Sequence, residues 1–221
     1  MKKIFLATLF LLPILLFAQT KEELIKQVKA NPDKTETLKI IQKVGGYTPD
    51  YKELNSLFKG LDKSVRKSDE GKVFERYIKT LERTSVGKKA PGITQFDLKG
   101  EPYSLSDLQG KYVLIDFWAS WCPDCIRAIP DLLVTYNEFK DKNFDILGVS
   151  FDREFAPWEK AVKNYKLDWK HISDLQSWGN AAGQVYGVKS IPQNILVDPK
   201  GIIVARNVHG EELRAKLREL L

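Results

Sequence analysis

Apolar residues fall into three patterns along this chain. The first is a run from Ile4 to Phe17, broken only by Thr8 and Pro13. The second, over residues 20–85, has helical spacing: Leu54, Leu57, Phe58 and Leu61 share one face, as do Val73, Tyr77, Ile78 and Leu81. Asp33 followed by Glu36 reads as a helix start, and Thr48-Pro49 as another, with Pro49 at the first helical position. Gly45-Gly46 separates two of these segments. Three or four short helices are predicted, too small to bury much area alone and expected to pack on the following domain or on another chain. The third pattern starts near Gly87 and alternates strands with helices. Ile93 to Ser104 predicts a hairpin turning at Lys99-Gly100, and residues 104–108 a single helical turn. Lys111 to Phe117 and Phe144 to Phe151 predict buried strands, each followed by a helix, Pro123 to Lys140 and Ala156 to Tyr165. A short helix ending at Gly187, strands Gln193 to Val197 and Ile202 to Arg206, and a helix from Glu211 to Leu221 complete the set. This order predicts an α/β fold, a central sheet with helices on both faces, preceded by a small α-helical segment.

Composition changes the picture at the N-terminus. Met1-Lys2-Lys3 before the apolar run, and Ala18 after it, describe a secretory signal peptide over residues 1–18. The run falls short of the about 20 residues of a membrane span, although an uncleaved N-terminal anchor is the competing reading. About 203 residues then remain, room for one ordinary domain plus an extra module. The formal charge of +6 includes two lysines of that leader. The rest of the excess is spread out, in short runs such as Lys63 to Lys67 and Lys88-Lys89. No stripe of basic and aromatic residues appears, so nucleic acid is not an expected partner. Export to the periplasm is the expectation, in a compartment where disulfides persist.

The chemistry concentrates in Cys122-Pro123-Asp124-Cys125, which holds both cysteines of the chain. Two thiols three positions apart at a helix start can close a small disulfide ring and reopen it. A bridge across so short a loop constrains the unfolded chain little, which favours a chemical use over a structural one. Cys122 lies where free backbone N–H groups and the helix dipole favour a thiolate, so it is the expected exposed nucleophile. Cys125, one turn in, is the resolving thiol. Asp116, six residues before Cys122 in an apolar strand, is expected to be buried with a raised pKa. Asp124 in the first helical turn opposes a thiolate at Cys122. A less stabilised thiolate makes a less oxidising disulfide, which points to a reductant.

The run Asp116-Phe117-Trp118-Ala119-Ser120-Trp121-Cys122-Pro123-Asp124-Cys125, with Pro130 and a distant Ile191-Pro192, resembles thioredoxins. Residues 87–92 and 105–111 resemble more specifically the exported thiol-disulfide oxidoreductases of the TlpA/ResA type, over roughly residues 86–221. The resemblance implies a thioredoxin-like fold, protein disulfides or dithiols as substrates, a membrane-linked or exported electron donor, and no cofactor beyond the dithiol. It gives Asp116 the role of moving a proton to or from Cys125. It makes Pro192 a cis proline facing the disulfide, with the Ile191 backbone pairing with an extended substrate. Since only about 5–6% of X–Pro bonds are cis, that assignment rests on the resemblance. Trp121 is the expected apolar contact for substrate, Pro123 the first helical residue and Pro130 a kink in the active-site helix. Two departures matter. No lysine matches the one thioredoxins place near the buried acid, and Ala128 stands where ResA-type proteins tend to carry a glutamate.

Three alternatives compete. A peroxiredoxin-like peroxidase shares the fold and the Ala90-Pro91-Gly92 opening, but needs a Thr where Ala119 stands. A binding module on the same scaffold would use the helical segment to dock. A zinc site built from the cysteine pair with His171 and His209 lacks ligand spacing.

Overall fold

The computed structural model describes residues 19–221, so the expected signal peptide lies outside the described residues. Five helices come first: α1 (Lys21–Ala30), α2 (Thr37–Gly45), α3 (Tyr51–Lys59), α4 (Lys63–Lys67) and α5 (Asp69–Arg83). The number exceeds the expected three or four because of α4, a single turn of five residues. Two boundaries also differ from expectation. Helix α2 begins at Thr37 rather than at Asp33. Asp50, not Thr48, opens α3, accepting a hydrogen bond from the Lys52 backbone N–H at 2.8 Å, which puts Pro49 ahead of the cap. A side-chain oxygen satisfying an otherwise unpaired N–H decides where a helix starts, and a proline only tolerates the position. These helices bury more than expected, since Leu38, Ile41, Leu54, Phe58, Ile78 and Leu81 belong to a small core of their own. Val73, placed on the buried face by its spacing, is 56% exposed.

The segment is joined to the rest of the chain through Arg206. Its guanidinium donates to the Thr84 carbonyl and hydroxyl, each at 2.6 Å, and to the Tyr186 carbonyl at 3.1 Å. Burial lowers its pKa from the usual arginine value. Carbonyl and hydroxyl oxygens replace the water such a group loses, which is the condition for burying it.

After residue 86 the strands are β1 (Thr94–Asp97), β2 (Pro102–Ser104), β3 (Tyr112–Trp118), β4 (Phe144–Ser150), β5 (Lys170–Ser173), β6 (Gln193–Val197) and β7 (Ile203–Arg206). Helices α6 (Pro123–Phe139), α7 (Phe155–Asn164), α8 (Ala181–Tyr186) and α9 (Gly210–Leu220) lie between and after them. The strands form one mixed sheet in the order β2-β1-β5-β4-β3-β6-β7, with helices on both faces. Pairs β3–β4 and β4–β5 are parallel and the others antiparallel. Gly187 ends α8 in the left-handed region at φ 70°, a conformation free of strain only without a Cβ. No pattern in the sequence predicts strand β5. Lys170-His171-Ile172-Ser173 lacks an apolar alternation, and its last three residues are buried only because β1 and β4 flank it. Strand β3 is central: Val113, Leu114, Ile115 and Phe117 are at most 2% exposed, and its C-terminal end delivers the chain to α6. Among the described residues no helix is long and apolar enough to cross a membrane.

Candidate active site

After Trp118 the chain turns through Ala119, Ser120 and Trp121 into α6, whose N-cap is Cys122 and whose first residue is Pro123. Cys122 and Cys125 form a disulfide with a Cα–Cα distance of 5.3 Å. The Cys125 backbone N–H points at Cys122 Sγ at 3.2 Å, a weak contact to a disulfide sulfur and a charge-assisted one to a thiolate. The expected difference in exposure is absent, because Cys122 is 5% and Cys125 4% exposed. Surroundings separate them instead. Cys122 Sγ lies 3.8 Å from the Ile191 carbonyl oxygen, beside Trp121, which is 48% exposed. Cys125 lines a small, partly open cavity of about 60 Å³ together with Asp116, Pro192, Asn194 and His209.

Burial pushes the Asp116 carboxyl up to about 7, because the cavity solvates a charge poorly. The cavity, which both Asp116 and Cys125 line, has room for a water. On β4 the residue paired with Asp116 is Gly148. A Cβ there would overlap the His171 imidazole, so no lysine side chain can approach the acid from that position. Ala128 also lines the cavity, and the second acid on its wall is Asp131, which pairs with Arg214.

Asp152, which the sequence pattern does not single out, holds the turn before Cys122. Its carboxylate accepts the Ser120 N–H at 3.0 Å, the Ser120 hydroxyl, and the Ser150 hydroxyl at 2.7 Å, and it is 2% exposed. Asp152→Ala leaves these donors without their partner and is expected to cost about 2–3 kcal/mol in chemical denaturation. Trp121 Nε1 donates to the Phe151 carbonyl at 3.3 Å, and its ring stands 6.1 Å from that of Trp178. Trp118, by contrast, is 3% exposed and belongs to the core. Asp124 is exposed and pairs with Arg127 one turn along α6. Pro130 sits inside α6, where its missing N–H leaves the Ile126 carbonyl without the usual helical donor. The Ile191–Pro192 peptide is cis.

The helical segment, in which the sequence shows no chemistry, brings a residue here. The Tyr47 hydroxyl donates to the Pro192 carbonyl and lies 3.1 Å from His209 Nε2. The Tyr47 carbonyl accepts from Gln193 Nε2 at 3.1 Å and Asn207 Nδ2 at 3.2 Å. Only an aromatic placed just after Gly45-Gly46 hints at this in the sequence. The two histidines stand in different settings. His171 is stacked on Trp169 and edge-on to Trp118, both nitrogens lack a partner, and burial lowers its pKa to about 3. His209 stands at Tyr47 and the cavity. Among the described residues no group of three or more His, Cys, Asp or Glu is placed to hold a metal ion.

Comparison with known proteins agrees with this arrangement. The AhpC/TSA family matches residues 86–206, so the match begins after the helical segment. Thiol-disulfide oxidoreductase ResA of Bacillus cereus is 29% identical over 149 residues, 67% of this chain and 84% of that protein. The thioredoxin domain of a thiol-disulfide oxidoreductase from Bacteroides vulgatus is 42% identical, with a TM-score of 0.58 over 62% of this chain and 97% of that domain. A thiol-disulfide oxidoreductase from Bacteroides fragilis is 37% identical, with a TM-score of 0.58 over 61% of this chain and all (100%) of that one.

Proposed function

The chain belongs to the AhpC/TSA family, and on that premise we propose that it is an exported reductant of protein disulfides. Its enzymatic class, thiol-disulfide oxidoreductase of the TlpA/ResA type on a thioredoxin-like fold, is shared with its relatives. The observation that carries the finer reading is the Cys122–Cys125 pair at the start of α6, one sulfur beside the Ile191 carbonyl and the other on the Asp116 cavity. In the reduced protein the Cys122 thiolate attacks a substrate disulfide and one substrate sulfur leaves as a thiol. Cys125 passes its proton to Asp116 and attacks Cys122 Sγ, which releases the second substrate sulfur and restores the bridge. An exported or membrane-linked donor then returns two electrons and two protons. The reading includes a signal peptide over residues 1–18, a helical segment over 19–85 and a thioredoxin-like domain over 86–221. It uses Pro123 and Asp124 to tune Cys122, and Trp121, Ile191 and Pro192 to contact substrate. The test is reduction of a protein disulfide by the dithiothreitol-reduced chain under conditions where dithiothreitol alone is slow. Absence of turnover refutes it.

The direction of electron flow rests on Asp124. Its charge opposes the Cys122 thiolate, while the pairing with Arg127 offsets part of that charge. Asp124→His is expected to raise the reduction potential by up to about 30 mV, the equivalent of a tenfold change in equilibrium. Equilibration with glutathione measures it. A potential that stays or falls removes the support for a reductant.

A further inference from the structure

Four residues form a directed chain of hydrogen bonds that ends at the redox site. Asn194 is oriented by Val208: its Oδ1 accepts from the Val208 N–H at 3.1 Å, and its Nδ2 donates to the Val208 carbonyl at 2.8 Å. The amide group facing His209 Nδ1 at 3.3 Å is therefore a donor, and Nδ1 must be the unprotonated nitrogen. His209 then carries its proton on Nε2, and this N–H donates to the Tyr47 hydroxyl oxygen, whose own O–H donates to the Pro192 carbonyl. Every link has one donor and one acceptor. Burial favours the neutral ring this requires, against the opposing pull of Glu212 and Asp131. The Tyr47 carbonyl is held separately by Gln193 and Asn207, so backbone and side chain are both committed to the edge that carries Ile191 and Pro192.

We propose that Tyr47, carried by the helical segment, is a positioning and specificity residue of the redox site, fixing the Ile191–Pro192 edge beside Cys122 and walling the path of an extended polypeptide disulfide. The Ile191 carbonyl, 3.8 Å from Cys122 Sγ, is the acceptor such a polypeptide would meet as its sulfur reaches the nucleophile. Tyr47 and His209 stand at the β6–β7 side of this point. Trp121 and Trp178, 48% and 46% exposed, stand at the β4 side, where Trp121 binds the Phe151 carbonyl. Tyr47 itself is 39% exposed, open to a substrate while its hydroxyl is engaged. A small disulfide needs only the sulfur, whereas a polypeptide must also pass between these aromatic walls and align on the carbonyl edge.

The inference rests on the thiol-exchange reading, and one experiment separates the two. Full-length wild type, Tyr47→Phe and Tyr47→Ala are reduced, freed of excess reductant and assayed in single turnover, the saturating rate and half-saturating concentration standing for kcat and KM, with two substrates. One is a peptide disulfide of about ten residues and the other is dithiobis(nitrobenzoate). Tyr47→Ala is expected to raise KM for the peptide about tenfold and to lower kcat/KM for the small disulfide by a clearly smaller factor. Tyr47→Phe, which keeps the ring and loses one hydrogen bond, is expected to raise the peptide KM about threefold. Equal losses on both substrates, or no loss in either variant, overturn the role of Tyr47. If Tyr47→Ala does not fold, the peptide KM of Tyr47→Phe decides alone. Wild type that reduces neither substrate overturns the thiol-exchange reading instead.

Discussion

Cys122→Ser is expected to abolish disulfide turnover in a protein that still folds. The bridge closes so short a loop that its removal costs about 2 kcal/mol at most by loop entropy, and the sheet core does not depend on it. Serine cannot supply a thiolate, so the first exchange has no nucleophile. Serine at Cys125 gives a different outcome. With Cys122 as the proposed nucleophile and no thiol at 125 to resolve the adduct, a mixed disulfide with substrate is expected to accumulate and to be isolable on a non-reducing gel. The asymmetry follows from the surroundings, since the two residues are equally buried. Cys122 meets the Ile191 carbonyl edge, while Cys125 faces the cavity it shares with Asp116. Turnover in Cys122→Ser, or trapping by that variant in place of Cys125→Ser, reverses the assignment.

Asp116→Asn is expected to act on stability and on catalysis in opposite directions. The acid has a pKa of about 7 in the folded protein against an ordinary 3.8. Below pH 4 both states hold the proton. Between about pH 4 and 7 the folded state keeps a proton that the unfolded chain has released, so wild-type stability falls as pH rises through that window. Above it the loss is complete, about 4 kcal/mol for a difference of about three pH units. The asparagine variant does not titrate. Its stability should match that of wild type near pH 4 and exceed it by several kcal/mol at pH 8, as read from urea unfolding at both values. The same substitution removes the base proposed for Cys125, and the release of the second substrate sulfur should slow by about 10²-fold and lose its dependence on a group titrating near 7. Parallel stability curves for the two proteins place Asp116 in a well-solvated site. An unchanged pH–rate profile removes it from the exchange.

What this chain shows in one dimension and what it shows only when folded divide along a physical line. Strands β3 and β4, helix α6 and the hairpin β1–β2 are encoded by short-range patterns: apolar runs, a proline at a helix start, a turn at Lys99-Gly100. Each is set by residues within a few positions, so each is legible. The cysteine pair with its aromatic frame, the acid at 116 and the Ile-Pro dipeptide are legible for the same reason, because their chemistry depends on residue type and spacing. Exposure is not local. Cys122 is as buried as Cys125 because the Ile191 loop, about seventy residues away in sequence, closes over it. Strand β5 exists because β1 and β4 leave a slot that His171 and Ser173 fill. Asp152 counts because Ser120 and Ser150 converge on it. Tyr47 is the clearest case. Its own neighbourhood is a glycine turn between helices, and its role comes from Pro192, Gln193 and His209, all more than 140 positions away. Hydrogen bonds across such separations leave no periodicity in the sequence, so only the packed fold could bring the helical segment into the redox site.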